Sequence, residues 1–483
     1  MTEYITYEMF GAAGDGIADD MPAIVKAHEE ASNRNISVKA RKGAVYYISP
    51  KDRTAVIKTD TDWTGAKFVI DDRDCENILV PVFRVVSSAD SGCMQLDIER
   101  LEAGQTVISN PFGQDIFVVV QNENHRDYIR RGLNQNNGFP RTDCFIVKKD
   151  GMLASPVAYD FDNVTSVKVY PIDEKTLTIC GGEFTTIANQ AASEYNYHRR
   201  NIEINRSNTD IHHLKHFVIG EIDHGAPYTG FISVQDCARV HVHDCLVTAH
   251  FTYWTIGAQG LPVPMGSYDI NCRTTAEVSF SRCNQTTDIM DERYWGIIGT
   301  NYCRDMVFED CVFSRFDAHM GVYNCTLRRC VLGWQCLNAI GAGTFLIEDT
   351  EACGRNFVYL RFDYGCNWRG DIIIRNCTWK PLSEGRNIIG AENDGVHDFG
   401  YVCHITRNVE IDGLKIVEDN SDGDPVFVFA DYLGKEDISS EERRYMPVPP
   451  VSVKVKNIET EREVRLCQEP ELMPDTEFTA EVK

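Results

Sequence analysis

Val278-Ser-Phe-Ser-Arg-Cys283, Met306-Val-Phe-Glu-Asp-Cys311 and Cys325-Thr-Leu-Arg-Arg-Cys330 share one pattern: apolar, any, apolar, any, any, cysteine. Working outward, the unit occurs as Ile202-x-Ile204-x-x-Ser207 and Val240-x-Val242-x-x-Cys245. It returns as Phe345-x-Ile347-x-x-Thr350, Ile372-x-Ile374-x-x-Cys377, Val409-x-Ile411-x-x-Leu414 and Val453-x-Val455-x-x-Ile458. Alternation of period two is a strand with one buried face, and the closing small or apolar residue marks a corner. Five of the nine corners are cysteine, spaced by 38, 38, 28, 19, 20, 27, 37 and 44 residues. The short intervals fit a bare coil of three strands, and the longer ones fit the same coil with a loop inserted at a turn. One coil cannot bury its own apolar face, so coils must stack. The expected fold is all-β, a right-handed parallel β-helix with a cysteine ladder in its core.

A second strand is expected after each corner, with Ile256, Ile298, Val322, Ile340, Leu360 and Ile389 pointing inward. The outward row beside them then reads Gly257, Gly299, Tyr323, Gly341, Arg361 and Gly390, followed two positions on by Gln259, Asn301, Cys325, Gly343, Asp363 and Glu392. Glycines within strands mark close approach of another group. Interleaved with polar residues, they predict a flat polar groove across the coils. Cys325 falls in both the core pattern and this row, so the register there is open by a residue.

Phe10-Gly-Ala-Ala-Gly-Asp-Gly-Ile-Ala-Asp-Asp-Met-Pro-Ala-Ile24 runs into an amphipathic helix ending near Ala31, with Asp19 or Asp20 placed to cap it and Pro22 in its first turn. This segment, followed by Val45 to Ser49, resembles the amino-terminal signature of the pectate-lyase-like superfamily, which holds polygalacturonase-type glycosidases, polysaccharide lyases and phage tailspikes. Met21 stands where that family usually has threonine. The resemblance implies a capped right-handed β-helix acting on or binding glycans. It does not extend to the active site, because the Asn-Thr-Asp, Asp-Asp, Gly-His-Gly and Arg-Ile-Lys elements of the polygalacturonases are absent in that order from the coil region. The chain divides into a cap and first coils (1–83), a β-rich insert (84–180), the main coils (181–420), and last coils with a carboxy-terminal cap (421–483). In the insert, Arg126, Arg130 and Arg131 with Tyr128 form a basic patch that reads first as a solvated turn, with contact to substrate or a neighbouring subunit as the alternative.

The formal charge of −24 argues against binding nucleic acid by phosphate neutralisation. It also argues against drawing in a strongly anionic polymer through the field of the whole protein, unless a local basic groove overrides that field. No apolar run reaches the ~20 residues a membrane span needs. The 18 cysteines lack zinc-ribbon spacing and read as reduced, buried thiols. With no basic, apolar leader at the start, this points to a cytoplasmic protein, or a secreted one should a leader precede Met1. No cofactor or metal is expected. Calcium at Asp288 and Asp291 would need further oxygen ligands.

Candidate catalytic groups are Asp317, His319, Asp363, Glu392, Asp288 and Asp291. Candidate substrate-binding groups are Arg293, Trp295, Asn301, Arg361, Tyr364, Trp254 and Gln259. Glycoside hydrolysis needs one protonated and one ionised carboxyl. Asp363 and Glu392, taken as equivalent positions on coils about 4.8 Å apart, meet that spacing, with Arg361 holding one ionised. In Asp317-x-His319 both side chains can face one way, so that the carboxylate orients the imidazole. The expected partner is an oligo- or polysaccharide, and the expected activity a glycoside hydrolase working by paired carboxylates. A polysaccharide lyase or uronate epimerase is the alternative, for which Arg293, Arg315 and Arg361 supply cations. A non-catalytic glycan-binding or tailspike-like protein is the third reading. Assembly into a homodimer or homotrimer fits each of them.

Overall fold

The structure, a computed structural model, describes residues 3–89, 94–132, 136–257, 260–382, 387–391, 397–398, 402–417, 424–430 and 448–482. Its main sheet system is built from parallel pairs between successive coils. One inward column runs Ile5, Val38, Thr61, Ile179, Ile211, Val242, Phe280, Phe308, Leu327, Ile347, Ile374, Ile411, Val455, each residue paired with the next. All are buried. Like side chains stack along the column, as in Phe280 on Phe308 at 5.2 Å and 3°.

The corners have a common cause. The residue before each one adopts the left-handed conformation: Asp244, Arg282, Asp310, Arg329, Asp349 and Asn376 all have φ between 49° and 55°. A single such residue turns the strand without a loop. The following thiol then lies within hydrogen-bond reach of two carbonyls, one two residues back and one on the preceding coil: Cys283 near Ser281 and Val242, Cys311 near Glu309 and Phe280, Cys330 near Arg328 and Phe308. Thr350 replaces the thiol with a hydroxyl that donates to the Glu348 carbonyl at 2.8 Å. Cysteine suits this position because it is small, apolar and a weak donor.

The first unit read from the sequence is corrected. Ile202 and Ile204 lie on a different sheet, paired with Phe83, Val85, Ile232 and Val234. The unit below Val240–Cys245 is Thr209-x-Ile211-x-x-Leu214, which shortens that interval from 38 to 31 residues. Both sheets alternate with period two, so the pattern alone does not separate them. Cys325 pairs with Met306 and Phe345 and belongs to the core, not the outward row.

The second-strand register also shifts. The inward row is Ile232, Ile270, Ile298, Phe316, Leu337, Val358, Ile389. Ile298 and Ile389 hold. Phe316, Leu337 and Val358 take the row in place of Val322, Ile340 and Leu360; of these, Val322 and Leu360 still point into the main core, while Ile340 packs outside it with Tyr128 and Tyr364. Ile256 is 63% exposed in a hairpin of Tyr253–Ile256 with Pro262–Met265. The true outward row is Asn271, Gly299, Asp317, Asn338, Tyr359, Gly390.

At the amino-terminal end the helix Met21–Arg34 covers the first coils. Asp19 accepts the Met21 amide, while Asp20 holds the Ala13 and Gly14 amides of the preceding loop. Within 84–180, Ile116–Asp127 pairs antiparallel with Phe139–Val147 and Ser166–Pro171. One face forms a separate core around Val118, Val120 and Phe145. The other packs Phe117, Val119 and Ile146 on Ala238 and Ala276 of the solenoid. Arg304, 1% exposed, locks the two together through both oxygens of Asp143 at 2.7 and 2.9 Å.

Candidate active site

Asp317 projects outward between Gly299 and Asn338. Gly299 leaves room for the Tyr268 ring, which a Cβ would approach to 3.2 Å. Tyr268 thus passes over the strand and donates its phenol proton to Asp317. Arg315 Nη2 donates to the same carboxylate at 2.8 Å, and Arg361 Nη1 reaches both of its oxygens at 2.8 Å. Burial alone would raise the Asp317 pKa, but Arg315 and Arg361 hold it below the usual range. Arg315 in turn lies over the Trp295 ring at 4.6 Å.

Arg361 carries the network onward, donating through Nε and Nη2 to Asp363 at 3.1 and 2.9 Å. The second cation on Asp363 is Arg130, at 2.8 Å, contributed by the insert. Burial opposes ionisation here too, yet Arg361 and Arg130 keep this carboxyl well below its ordinary value. Tyr364, 1% exposed, packs behind with Arg130 5.0 Å from its ring centre.

His319 completes the cluster. Its Nδ1 lies 3.2 Å from Asn301 Oδ1, an atom that can only accept, so the proton sits on Nδ1 and Nε2 carries the lone pair. Asn301 is itself oriented by donating to Asn271 at 3.3 Å. Burial first, then the Arg361 charge, pushes His319 down to about 4, so the imidazole is neutral in ordinary buffers.

These groups open into a cleft of about 1070 Å³. Tyr195, Tyr197, Tyr228, Trp295, Tyr359 and Phe362 supply aromatic surface. Among the described residues its lining carries five arginines (130, 199, 273, 315 and 361) against two carboxylates, Glu76 and Asp363.

The structure brings together His319, Asp363, Arg361, Asn301 and Trp295 as cleft lining, with Asp317 and Tyr364 directly behind. Trp254 and Arg293 lie instead in a neighbouring depression that shares Trp295. Asp288 and Asp291 line neither: Asp288 accepts the Met290 amide and Asp291 pairs with Arg293, both within one turn. Glu392 and Gln259 lie outside the described residues. Of the expected Asp363–Glu392 pair, Asp363 falls beyond the strand Val358–Leu360, in the 3-10 turn Phe362–Tyr364, and its expected partner lies outside the described residues. The Asp317–His319 contact is corrected, since Asn301 rather than Asp317 orients the ring. The outward glycines are not a bare floor; Tyr268 covers Gly299, and Asn356 and Tyr359 cover Gly390. Arg130, read first as a solvated turn, is 15% exposed and lines the cleft, which favours the alternative of substrate contact. Sequence reasoning also missed Tyr268 and Asn338. No spacing links Arg130 to Asp363, 233 positions away.

No family model and no curated protein matches the chain. Among solved structures it is similar to the tailspike protein gp49 of Pseudomonas phage LKA1, with TM-score 0.52 and 13% identity over 94% of this chain and 81% of that one. It is also similar to the Gp54 tailspike of Acinetobacter baumannii bacteriophage AP22, solved with a capsular saccharide, with TM-score 0.50 and 11% identity over 98% and 79%. The chain shares their right-handed parallel β-helix fold, as the repeat and the amino-terminal motif predicted.

Proposed function

We propose that the cleft binds an acidic polysaccharide and cleaves it by β-elimination. The observation that carries this reading is the excess of arginine on the cleft lining of a chain whose net charge is −24. Such a local reversal of sign selects an anionic ligand against the field of the whole molecule. The aromatic faces suit sugar rings, and the fold shared with the AP22 tailspike, which was solved with a capsular saccharide, supports a glycan as ligand.

The chemistry follows from protonation states. Hydrolysis by paired carboxyls needs one protonated acid. Asp317 and Asp363 are both held as anions by guanidinium groups, so neither supplies it. His319 offers what elimination needs: a neutral imidazole with a fixed Nε2 lone pair beside cations. Nε2 takes the proton from the carbon bearing the uronate carboxylate. The electron pair forms the C4–C5 double bond, the C4–O bond breaks, and water in the open cleft protonates the leaving oxygen. Guanidinium charge stabilises the carbanion-like transition state. Asp317 and Asp363 are positioning residues that hold Arg361, Arg315 and Arg130.

Incubation with a panel of acidic and neutral polysaccharides tests this. The expected result is turnover of an acidic glycan with an ultraviolet-absorbing unsaturated end. Ordinary reducing ends without unsaturation would overturn elimination and return the reaction to hydrolysis. Cleavage confined to neutral glycans would overturn the anionic substrate.

A further inference from the structure

The outer face of the column Ile179, Ile211, Val242 carries a cluster remote in register from the cleft row. Parallel pairing aligns Asp210 with His241, and Cys180 with His212 and then His243. Successive coils are about 4.8 Å apart, so these donors converge. We infer that Asp210, His241 and His243 form a binding site for a zinc-class divalent metal ion.

Two observations carry this. First, Asp210 Oδ1 lies 3.4 Å from His241 Nδ1 and 3.3 Å from His243 Nε2. A tetrahedral ion about 2.0–2.1 Å from each ligand sets them roughly 3.3–3.4 Å apart. Second, both imidazoles have their far nitrogen anchored. His243 Nδ1 donates to Asp244 at 2.6 Å, and His241 Nε2 meets Ser281 Oγ at 3.0 Å. Asp244 is fixed by Arg282 at 2.7 and 2.8 Å. A carboxylate behind a ligating histidine is the usual second layer of a metal site, because it sets the tautomer and strengthens the ligand.

The donor set of two imidazoles and one carboxylate suits zinc. The three residues are between 18% and 43% exposed, so an ion can enter from solvent. Once there, it joins the strands Thr209–His212 and Ile232–His243 and clamps two coils. Cys180, His212 and His213 form a neighbouring group of possible ligands, with His212 stacked 4.9 Å from His243.

The test uses the full chain without a histidine tag, treated with chelator and then dialysed against zinc chloride. Bound zinc is measured by elemental analysis and thermal unfolding is followed with and without zinc. The wild type is expected to retain zinc and to unfold at higher temperature with it. His241→Ala with His243→Ala should lose one equivalent and the zinc-dependent rise, while Cys180→Ser with His212→Ala should keep both. Asp244→Asn should weaken binding roughly ten- to a hundredfold without removing a ligand. Zinc content unchanged in the His241/His243 double variant, or no retention by the wild type, would overturn the site. Zinc binding undiminished in Asp244→Asn would overturn the anchored-imidazole argument. Unfolding temperatures of metal-free variants matching the metal-free wild type exclude misfolding as the cause of any loss.

Discussion

Asn301 Oδ1 accepts the Nδ1 proton of His319 at 3.2 Å, and this hydrogen bond leaves Nε2 as the basic nitrogen for the proposed elimination. Replacing His319 by alanine removes the base, and turnover of an acidic glycan should fall roughly 10²–10⁴-fold with little change in binding. Asn301→Ala frees the ring to take the other tautomer. It should lower kcat less than loss of the imidazole does, and steady-state kinetics with KM resolved checks both.

The pH dependence of kcat/KM follows from the same ring. Burial and the nearby Arg361 push His319 down to about 4, and the base acts only when neutral. Activity should therefore rise with pH through about 4 and stay level above it. An acidic limb centred near the ordinary histidine value of about 6.5 would show that the ring is not in this environment.

Substrate affinity should depend on salt. Arg130 reaches the cleft from the insert and pairs with Asp363 at 2.8 Å, which itself is held by Arg361. Arg130→Met removes one guanidinium and leaves Asp363 half-neutralised, so KM for an acidic glycan should rise about tenfold or more, consistent with losing a charge-assisted contact of ~1.5–3 kcal/mol. Raising ionic strength should weaken wild-type binding in the same direction.

Much of the fold was legible because stacked strands repeat one simple demand. A period-two alternation ending in a small residue is what an inward strand and a left-handed corner require, and the cysteines made that visible at Cys245, Cys283, Cys311, Cys330 and Cys377. Ile202 shows the limit, since it satisfies the same alternation on another sheet. At the site, His319, Asp363 and Arg361 were legible as polar residues on one side of the coils. Their partners were not: Arg130 comes from a separately folded insert, and Tyr268 reaches Asp317 only because Gly299 leaves space. Such contacts depend on loop paths that local pattern does not encode.

Stability should respond to pH through His250, whose ring stacks on cleft residue Tyr228 at 4.9 Å. Burial alone would lower its pKa, but Asp269 and Glu221, 3.4 and 3.1 Å away, outweigh that and push it up to about 10. A folded value above the unfolded value of about 6.5 means that the stabilisation is fully present below ~6.5 and is lost as pH rises through about 10. Thermal unfolding of the wild type should decline across this window more steeply than that of His250→Gln.

The insert should depend on Arg304. Removing this buried guanidinium leaves the buried Asp143 without its cation, and breaking such a buried pair costs about 3–5 kcal/mol. Arg304→Met should lower the unfolding temperature and expose the 84–180 region to limited proteolysis. Arg304→Met combined with Asp143→Leu should recover much of the loss.

The most direct measurement is the absorbance of unsaturated uronate ends released from an acidic polysaccharide by the wild type and by His319→Ala. The account predicts steady appearance of the unsaturated product with the wild type, and a loss of at least about a hundredfold with the variant while the glycan still binds. Saturated reducing ends from the wild type, or an undiminished rate in His319→Ala, would contradict it.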